Sequence, residues 1–282
     1  MQYIILLTGC VNPDGMPFTT LTDVSVREKQ YIEAINFYLH NTDFPIVFAE
    51  NSGTDISKSN NLFPDNKRLE FLSYKGNIYK NKGKGYGEAE IINYALIHSH
   101  IITSKSNDCP IIKITGRLIV KNIIDIAYNR FIHQNSKSIS VSYNSDFSFA
   151  DSRIIIAPKD FYHLVIKHKE EINDFNHQYF ENILSKCIMH SSTYHYYPFY
   201  YEPQITGQSG TTGEKYVSYE SSFNRRLSYM VYALKKLLLF DKRFSNCKLK
   251  VYEKITYCIY FYSLKGLNII IYQAKSFGYL FK

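Results

Sequence analysis

The segment from Gly83 to Arg117 constrains the fold more than any other. A glycine run, Gly83-Lys84-Gly85-Tyr86-Gly87-Glu88, opens a helix-like stretch, and the strand-like Pro110-Ile111-Ile112-Lys113-Ile114-Thr115 stops abruptly at Gly116-Arg117. Glycine permits close backbone approach, a helix N-terminus offers unpaired N–H donors, and a cation at a strand end supplies positive charge. Together they predict a β-loop-α-β unit whose edge accepts a nucleotide. A plain connection with incidental glycines has the same local spelling, so the rest of the chain must decide. The run lacks G-x-x-x-x-G-K-[ST], which argues against a P-loop ATPase.

With 282 residues, 45% of them hydrophobic, the chain can build one sizeable α/β domain and a smaller appendage, and disorder is excluded. The 33 Lys and Arg outweigh 25 Asp and Glu, a net +8 that favours phosphate-bearing partners. Cys10, Cys109, Cys187, Cys247 and Cys258 are odd in number and widely spaced, and read as reduced thiols of a cytoplasmic protein. No apolar run reaches the ~20 residues of a membrane span. The opening Tyr3-Ile4-Ile5-Leu6-Leu7 is short for a signal segment and lacks a basic flank, so it reads as the first strand.

Alternation continues along the chain. Thr8-Gly9 and the turn Asn12-Pro13-Asp14-Gly15 follow the first strand on the ligand side. Val26 to His40 forms a helix with Tyr31, Ile35, Tyr38 and Leu39 on one face. A second strand, Pro45 to Ala49, delivers Glu50-Asn51 to the same edge as Thr8 and Gly9, and Arg68 to Tyr74 makes a third. A helix from Glu88 to about His98 and the strand Pro110 to Thr115 complete a Rossmann-like layer. Beyond it, Ser138 to Tyr143 and Ser152 to Ala157 read as a hairpin, and Phe175 to Met189 as a helix carrying Glu181. Tyr194 to Tyr201 is dense in tyrosine, some of it expected to line an acceptor side. Gly207-Gln208-Ser209-Gly210-Thr211-Thr212-Gly213 suits a backbone wrapped around an anion or a sugar, or a flexible linker.

Ile5-Leu6-Leu7-Thr8-Gly9-Cys10, Phe48-Ala49-Glu50-Asn51-Ser52, the Gly83 to Ala89 run, Ile112 to Arg117 and Gly207 to Thr211 together resemble, in order and spacing, the blocks of bacterial glycosyltransferases that build capsule or lipopolysaccharide O-antigen. The resemblance covers about residues 1–215. It implies a GT-A-like α/β fold: a nucleotide-sugar-binding sheet with helices on both faces, plus a smaller C-terminal helical and aromatic part. The division expected is a catalytic domain at 1–219, with a nucleotide-sugar half to about 120 and an acceptor half from about 121, then a basic apolar extension at 220–282. The donor-side residues it implies are Thr8, Gly9, Glu50, Asn51, Gly83, Lys84, Gly85, Glu88, Lys113, Thr115 and Gly116. Gly207, Ser209, Gly210 and Thr211 are assigned to an acceptor or diphosphate loop.

One departure bears on mechanism. GT-A enzymes usually end the fourth strand in Asp-x-Asp, which holds a divalent ion on the diphosphate; here that position reads Thr115-Gly116-Arg117. A guanidinium pairs bidentately with phosphate oxygens, so Arg117, helped by Lys84 or Lys113, is expected to neutralise the leaving diphosphate without a metal. No cofactor is expected. Mn or Mg is the alternative, with Asp146 and Asp151 as fallback ligands. Glu181 is the first choice for general base, while Glu50 and Asn51 suit nucleoside recognition and Glu88 either a sugar contact or the helix dipole.

The expected partners are a nucleotide sugar and a glycan or lipid-linked glycan. A non-catalytic carbohydrate- or nucleotide-binding protein uses the same pocket without turnover. A nucleic-acid module would need a basic stripe interleaved with aromatics rather than glycine loops at strand ends, and no nucleic acid is expected. The basic apolar stretch Phe223 to Phe240 suggests either peripheral contact with the inner face of the cytoplasmic membrane or helical packing, with packing preferred. Sugar, nucleotide, linkage and stereochemistry are not legible.

Overall fold

The computed structural model describes residues 3–57, 66–218, 222–244 and 248–280. Cys247 and the expected boundary at 219/220 lie outside them. The apolar runs become strands and the periodic segments helices: β1 (Ile4–Gly9), α1 (Val24–Asn41), β2 (Ile46–Glu50), β3 (Leu69–Ser73), α2 (Lys84–His98), α3 (His100–Thr103) and β4 (Pro110–Thr115). There follow β5 (Ile119–Val120), α4 (Ile123–Tyr128), β6 (Ser138–Ser140), β7 (Ile154–Pro158), α5 (Lys159–Lys167), α6 (Phe180–Met189), β8 (His195–Tyr197), β9 (Ile205–Gln208) and β10 (Lys215–Tyr216). Two long helices, α7 (Phe223–Arg243) and α8 (Val251–Leu280), end the chain.

Seven strands form one sheet in the order β3-β2-β1-β4-β7-β6-β8. β1 through β4 are mutually parallel, β7 runs antiparallel between β4 and β6, and β8 is parallel to β6. This is a Rossmann-like α/β sheet, as the alternation predicts. Its central strands β1, β2, β4 and β7 are buried along nearly their whole length because both faces are covered. Ile4 and Leu6 of β1 belong to the core under α2, α5 and α6, whereas Tyr3, Ile5 and Leu7 pack on the α1 and α4 side. A second sheet has the order β10-β9-β5, with β5 following β4 directly in sequence. The Asp23 carboxylate fixes the start of α1 by accepting from the Val26 N–H at 3.0 Å.

Three boundaries and one assignment differ from the sequence reading. α2 starts four residues early, at Lys84. α6 starts at Phe180 rather than Phe175, because Asp174–Asn176 forms a 3-10 turn that ends on left-handed His177. β6 and β7 pair as expected, but the ladder is short, with a bridge from Tyr143 to Ala150 beyond it. The tyrosine run is mostly core: Tyr194, Tyr196, Tyr197 and Phe199 are buried because β8 belongs to the main sheet, which leaves few of the run for an acceptor side. The apolar face of α7 also turns inward, with Leu234 and Leu237 against Tyr197 and Tyr257, and Phe240 against Tyr196.

Candidate functional site

Strand order locates the cleft. β1 has β2 on one side and β4 on the other, so the connections leaving β1 and β4 diverge and open a crevice at their carboxyl ends, where ligands bind open α/β sheets. A cleft of about 680 Å³ lies there. Thr8 and Gly9 of β1, Asn51 after β2 and Thr115 at the end of β4 form its floor. Because β7 is antiparallel, its N-terminal approach brings Asp151, Ser152 and Arg153 to the same edge. Lys84 and Glu88 enter from α2, Glu181 from α6, and Ser209, Gly210 and Thr211 from the β9–β10 hairpin. Thr8, Asn51, Lys84, Glu88, Thr115, Glu181 and the hairpin loop thus border one cleft.

Arg117 is 6% exposed. Its Nη1 donates to the Gln30 side chain at 3.0 Å and to the Gln208 carbonyl at 3.1 Å, while its Nε is buried without a partner. Burial holds the guanidinium below the ordinary arginine value. The hairpin rests directly on it: a Cβ at Gly210 would lie 2.5 Å from Nη2, and one at Gly207, whose φ is +127°, would lie 2.9 Å from the Arg117 carbonyl. The glycines of this loop thus let the backbone approach an internal arginine.

A second buried cation, Arg27, is absent from the sequence reading. Its Nε donates to the Cys10 carbonyl at 2.9 Å and its Nη1 to the Leu21 carbonyl at 2.9 Å, which clamps the β1–α1 loop. That loop reaches the hairpin through the Thr20 N–H, which donates to the Gly210 carbonyl at 2.9 Å. A faint signal existed: Arg27 lies at the start of a helix with no acid in its first turn, where the dipole disfavours a cation unless something else holds it. Lys84 donates to the Thr211 hydroxyl, and its ammonium is lowered by desolvation, an effect opposed by Glu181 and Asp174.

The carboxylates divide by environment. Glu181 lines the cleft and accepts from the Ser152 hydroxyl at 2.7 Å. Glu88 accepts from Lys113 and, at 3.3 Å, from Thr8. Lys113 is fully buried behind it, pushed down to about 7 by loss of solvent, and also donates to the Ser152 carbonyl at 2.7 Å. It therefore supports the floor through Glu88 and does not line the cleft. Glu50 is likewise withdrawn: Ser52 and Ser73 occupy its carboxylate, tying β2 to β3, while its neighbour Asn51 faces the cleft with Oδ1 unpartnered. Gly116 serves the strand ends, donating its N–H to the Thr8 carbonyl at 2.8 Å.

The glycine loop has an unforeseen occupant. Asp174, 3% exposed, places Oδ2 3.1 Å from the Gly85 N–H, so this chain's own carboxylate fills the N-terminus of α2. Burial raises its carboxyl, and the Gly85 N–H pulls it back. Gly83 has φ +88°, and a Cβ there would lie 2.5 Å from Asp174 Oδ2; one on Gly85 would lie 2.7 Å from Oδ1. Both glycines admit this carboxylate and neither lines the cleft, which corrects the phosphate-cradle reading at that helix end. Gly83→Ala is expected to lower unfolding stability by about 2 kcal/mol in urea titrations, from backbone strain and the displaced carboxylate. A change below about 0.5 kcal/mol would sink that account.

The fallback acids are engaged within the protein. Arg153 donates from Nε to both oxygens of Asp151 at 3.0 Å, and Asp146 is spent on the Ser148 N–H at 2.9 Å and hydroxyl at 2.7 Å. Among the described residues no group of three or more His, Cys, Asp or Glu could hold a metal. A second groove of about 270 Å³ adjoins the cleft through shared Arg153 and Tyr216, whose ring the guanidinium covers at 4.9 Å. Of the tyrosine run, Tyr201 opens onto this groove.

No family model matches the chain, and no curated protein does. Among solved structures, HddC from Yersinia pseudotuberculosis is similar over 73% of this chain and 92% of its own length, at 14% identity and a TM-score of 0.33. The WbbM bifunctional glycosyltransferase, in its apo structure, is similar over 69% of this chain at 10% identity and a TM-score of 0.37; this chain spans 37% of that longer protein.

Proposed function

We propose that the chain is a glycosyltransferase that moves a sugar from a nucleotide-sugar donor to a growing cell-surface glycan, capsule or O-antigen. The observation that carries the reading is the meeting of Arg117 and Lys84 with Glu181 around one cleft at the strand switch point. The nucleoside lies toward Asn51, whose unpartnered carbonyl accepts from a base or ribose donor. The diphosphate lies toward Arg117 and Lys84, and the unused Nε of Arg117 supports that placement. Glu181, steadied by Ser152, takes the proton of the acceptor hydroxyl as that oxygen bonds the sugar carbon. The bond from that carbon to the diphosphate breaks, and its electron pair leaves with the phosphate, stabilised by the two cations. The acceptor enters along the second groove, past Arg153 and Tyr216.

The test is a thermal-shift screen of nucleoside diphosphates and nucleotide sugars. A true donor at a hundredfold excess over its Kd should raise Tm by about 5 °C, with or without EDTA. No response to any of them would overturn the donor reading. A response lost in EDTA and restored by Mn would overturn the arginine's role in place of metal. Donor binding without transfer or hydrolysis would favour the non-catalytic alternative.

A further inference from the structure

The positive charge of this chain is concentrated at one end. Residues 220–282 hold twelve Lys and Arg against three Asp and Glu, a net +9, whereas the whole chain is +8. The remaining 219 residues are close to neutral. The charged end is the α7–α8 hairpin, and α8 has two apolar faces. Tyr257, Phe261 and Leu264, spaced four and three apart, pack toward α7. The opposite face carries Val251, Ile255, Ile259, Tyr262 and Ile269, at helical spacings of four, four, three and seven. It is uncovered: Val251 is 75% exposed, Ile259 61% and Tyr262 69%, and a Cβ on Gly266 in the same stripe would meet nothing within 4 Å. A soluble helix with one core to serve would carry polar residues there.

Three occupants fit an apolar stripe: a membrane span, a second copy, or a lipid surface. No helix among the described residues is long and apolar enough to cross a membrane. A second copy would set two +9 hairpins against each other. We propose that the outer face of α8 lies on an anionic lipid surface, with Val251, Ile255, Ile259 and Tyr262 sunk at the headgroup boundary and the lysines around them, such as Lys250 and Lys265, held at acidic headgroups. The contact thereby moves from the Phe223 to Phe240 stretch, whose apolar face is buried, to the outward face of the next helix. It also holds the soluble cleft beside a bilayer, whatever reaction the cleft performs.

The test is co-sedimentation of the full chain with vesicles of phosphatidylcholine alone, or of phosphatidylcholine mixed with phosphatidylglycerol. Binding is expected only with the anionic vesicles and should weaken with salt. It should fall at least about tenfold in Ile255→Asp/Ile259→Asp. Both side chains point away from the core, so Tm and near-ultraviolet circular dichroism should hold; if they do not, Lys250→Glu/Lys265→Glu replaces that variant with the same expected loss. Equal binding to both vesicle types, or unchanged binding in the variants, would overturn the proposal. So would a dimer in sedimentation velocity that Ile255→Asp/Ile259→Asp dissociates without any vesicle binding, which would make the stripe a contact between copies.

Discussion

Glu181→Gln is expected to slow sugar transfer about 10²- to 10⁴-fold while the nucleotide-induced rise in Tm stays as in the parent protein. The amide keeps the shape of the side chain and can still accept the Ser152 hydroxyl, now 2.7 Å from Glu181 Oε1. It cannot take a proton from an acceptor. Arg117→Gln should behave in the opposite way, abolishing the nucleotide shift, because a neutral amide cannot offset a diphosphate. The two variants thus separate chemistry from binding. Parallel losses of binding in both would mean that Glu181 only props the cleft, and undiminished transfer in Glu181→Gln would remove it as the base. Arg117→Gln also releases Gln30 and the Gln208 carbonyl, so its Tm without ligand must be compared with that of Gly210→Ala, which crowds the same contact and keeps the charge.

The sheet was legible in the sequence because each buried strand carries its own signal. Tyr3 to Leu7 is apolar on both faces and Pro110 to Ile114 is so but for Lys113, and such runs between turn residues scarcely fit any other place. The meeting of Thr8, Asn51, Thr115 and Arg117 was legible for a related reason: parallel strands deliver their carboxyl ends to one edge. What could not be read was which polar side chains the protein keeps for itself. Glu50 and Lys113 carry the residue types of a ligand site, but Ser52, Ser73 and Glu88 consume them. The glycines at 83 and 85 look like an anion cradle and are one, for a carboxylate 89 residues beyond Gly85 in sequence. Local spelling cannot distinguish an external anion from an internal one. The tyrosine run was ambiguous for a similar reason, since an aromatic run suits a sugar-binding wall and a buried strand equally well until the sheet order is known.

Buried tyrosines throughout the fold set the largest expected response to pH: the protein should unfold cooperatively between about pH 10.5 and 12. Tyr38, Tyr143, Tyr162, Tyr196 and Tyr229 are held above the ordinary phenol value, in each case chiefly by burial. Tyr38 donates to the Leu118 carbonyl at 2.9 Å and Tyr162 to the Ile155 carbonyl at 3.2 Å, bonds that an ionised phenol could not make. Below about pH 10 both folded and unfolded chains keep these protons, and the stabilisation is fully present. Above it the unfolded chain releases protons that the native state retains, and each buried phenol removes about 1.4 kcal/mol of stability per pH unit. Five such groups exhaust a typical 5–15 kcal/mol within about one to two units. Lys113 acts in the opposite sense at lower pH: its native value near 7 lies below the unfolded value of about 10.4, so stability rises from pH 7 toward 10 before the tyrosines reverse it. The buried share of the phenolate absorbance should therefore appear together with the loss of far-ultraviolet circular dichroism, in one steep step. Tyr162→Phe removes one titrating group and should move that step to higher pH if the fold tolerates loss of its contacts with the Ile111 and Ile155 carbonyls. Ionisation of every phenol with the helical signal intact would contradict the placement of these rings in the core.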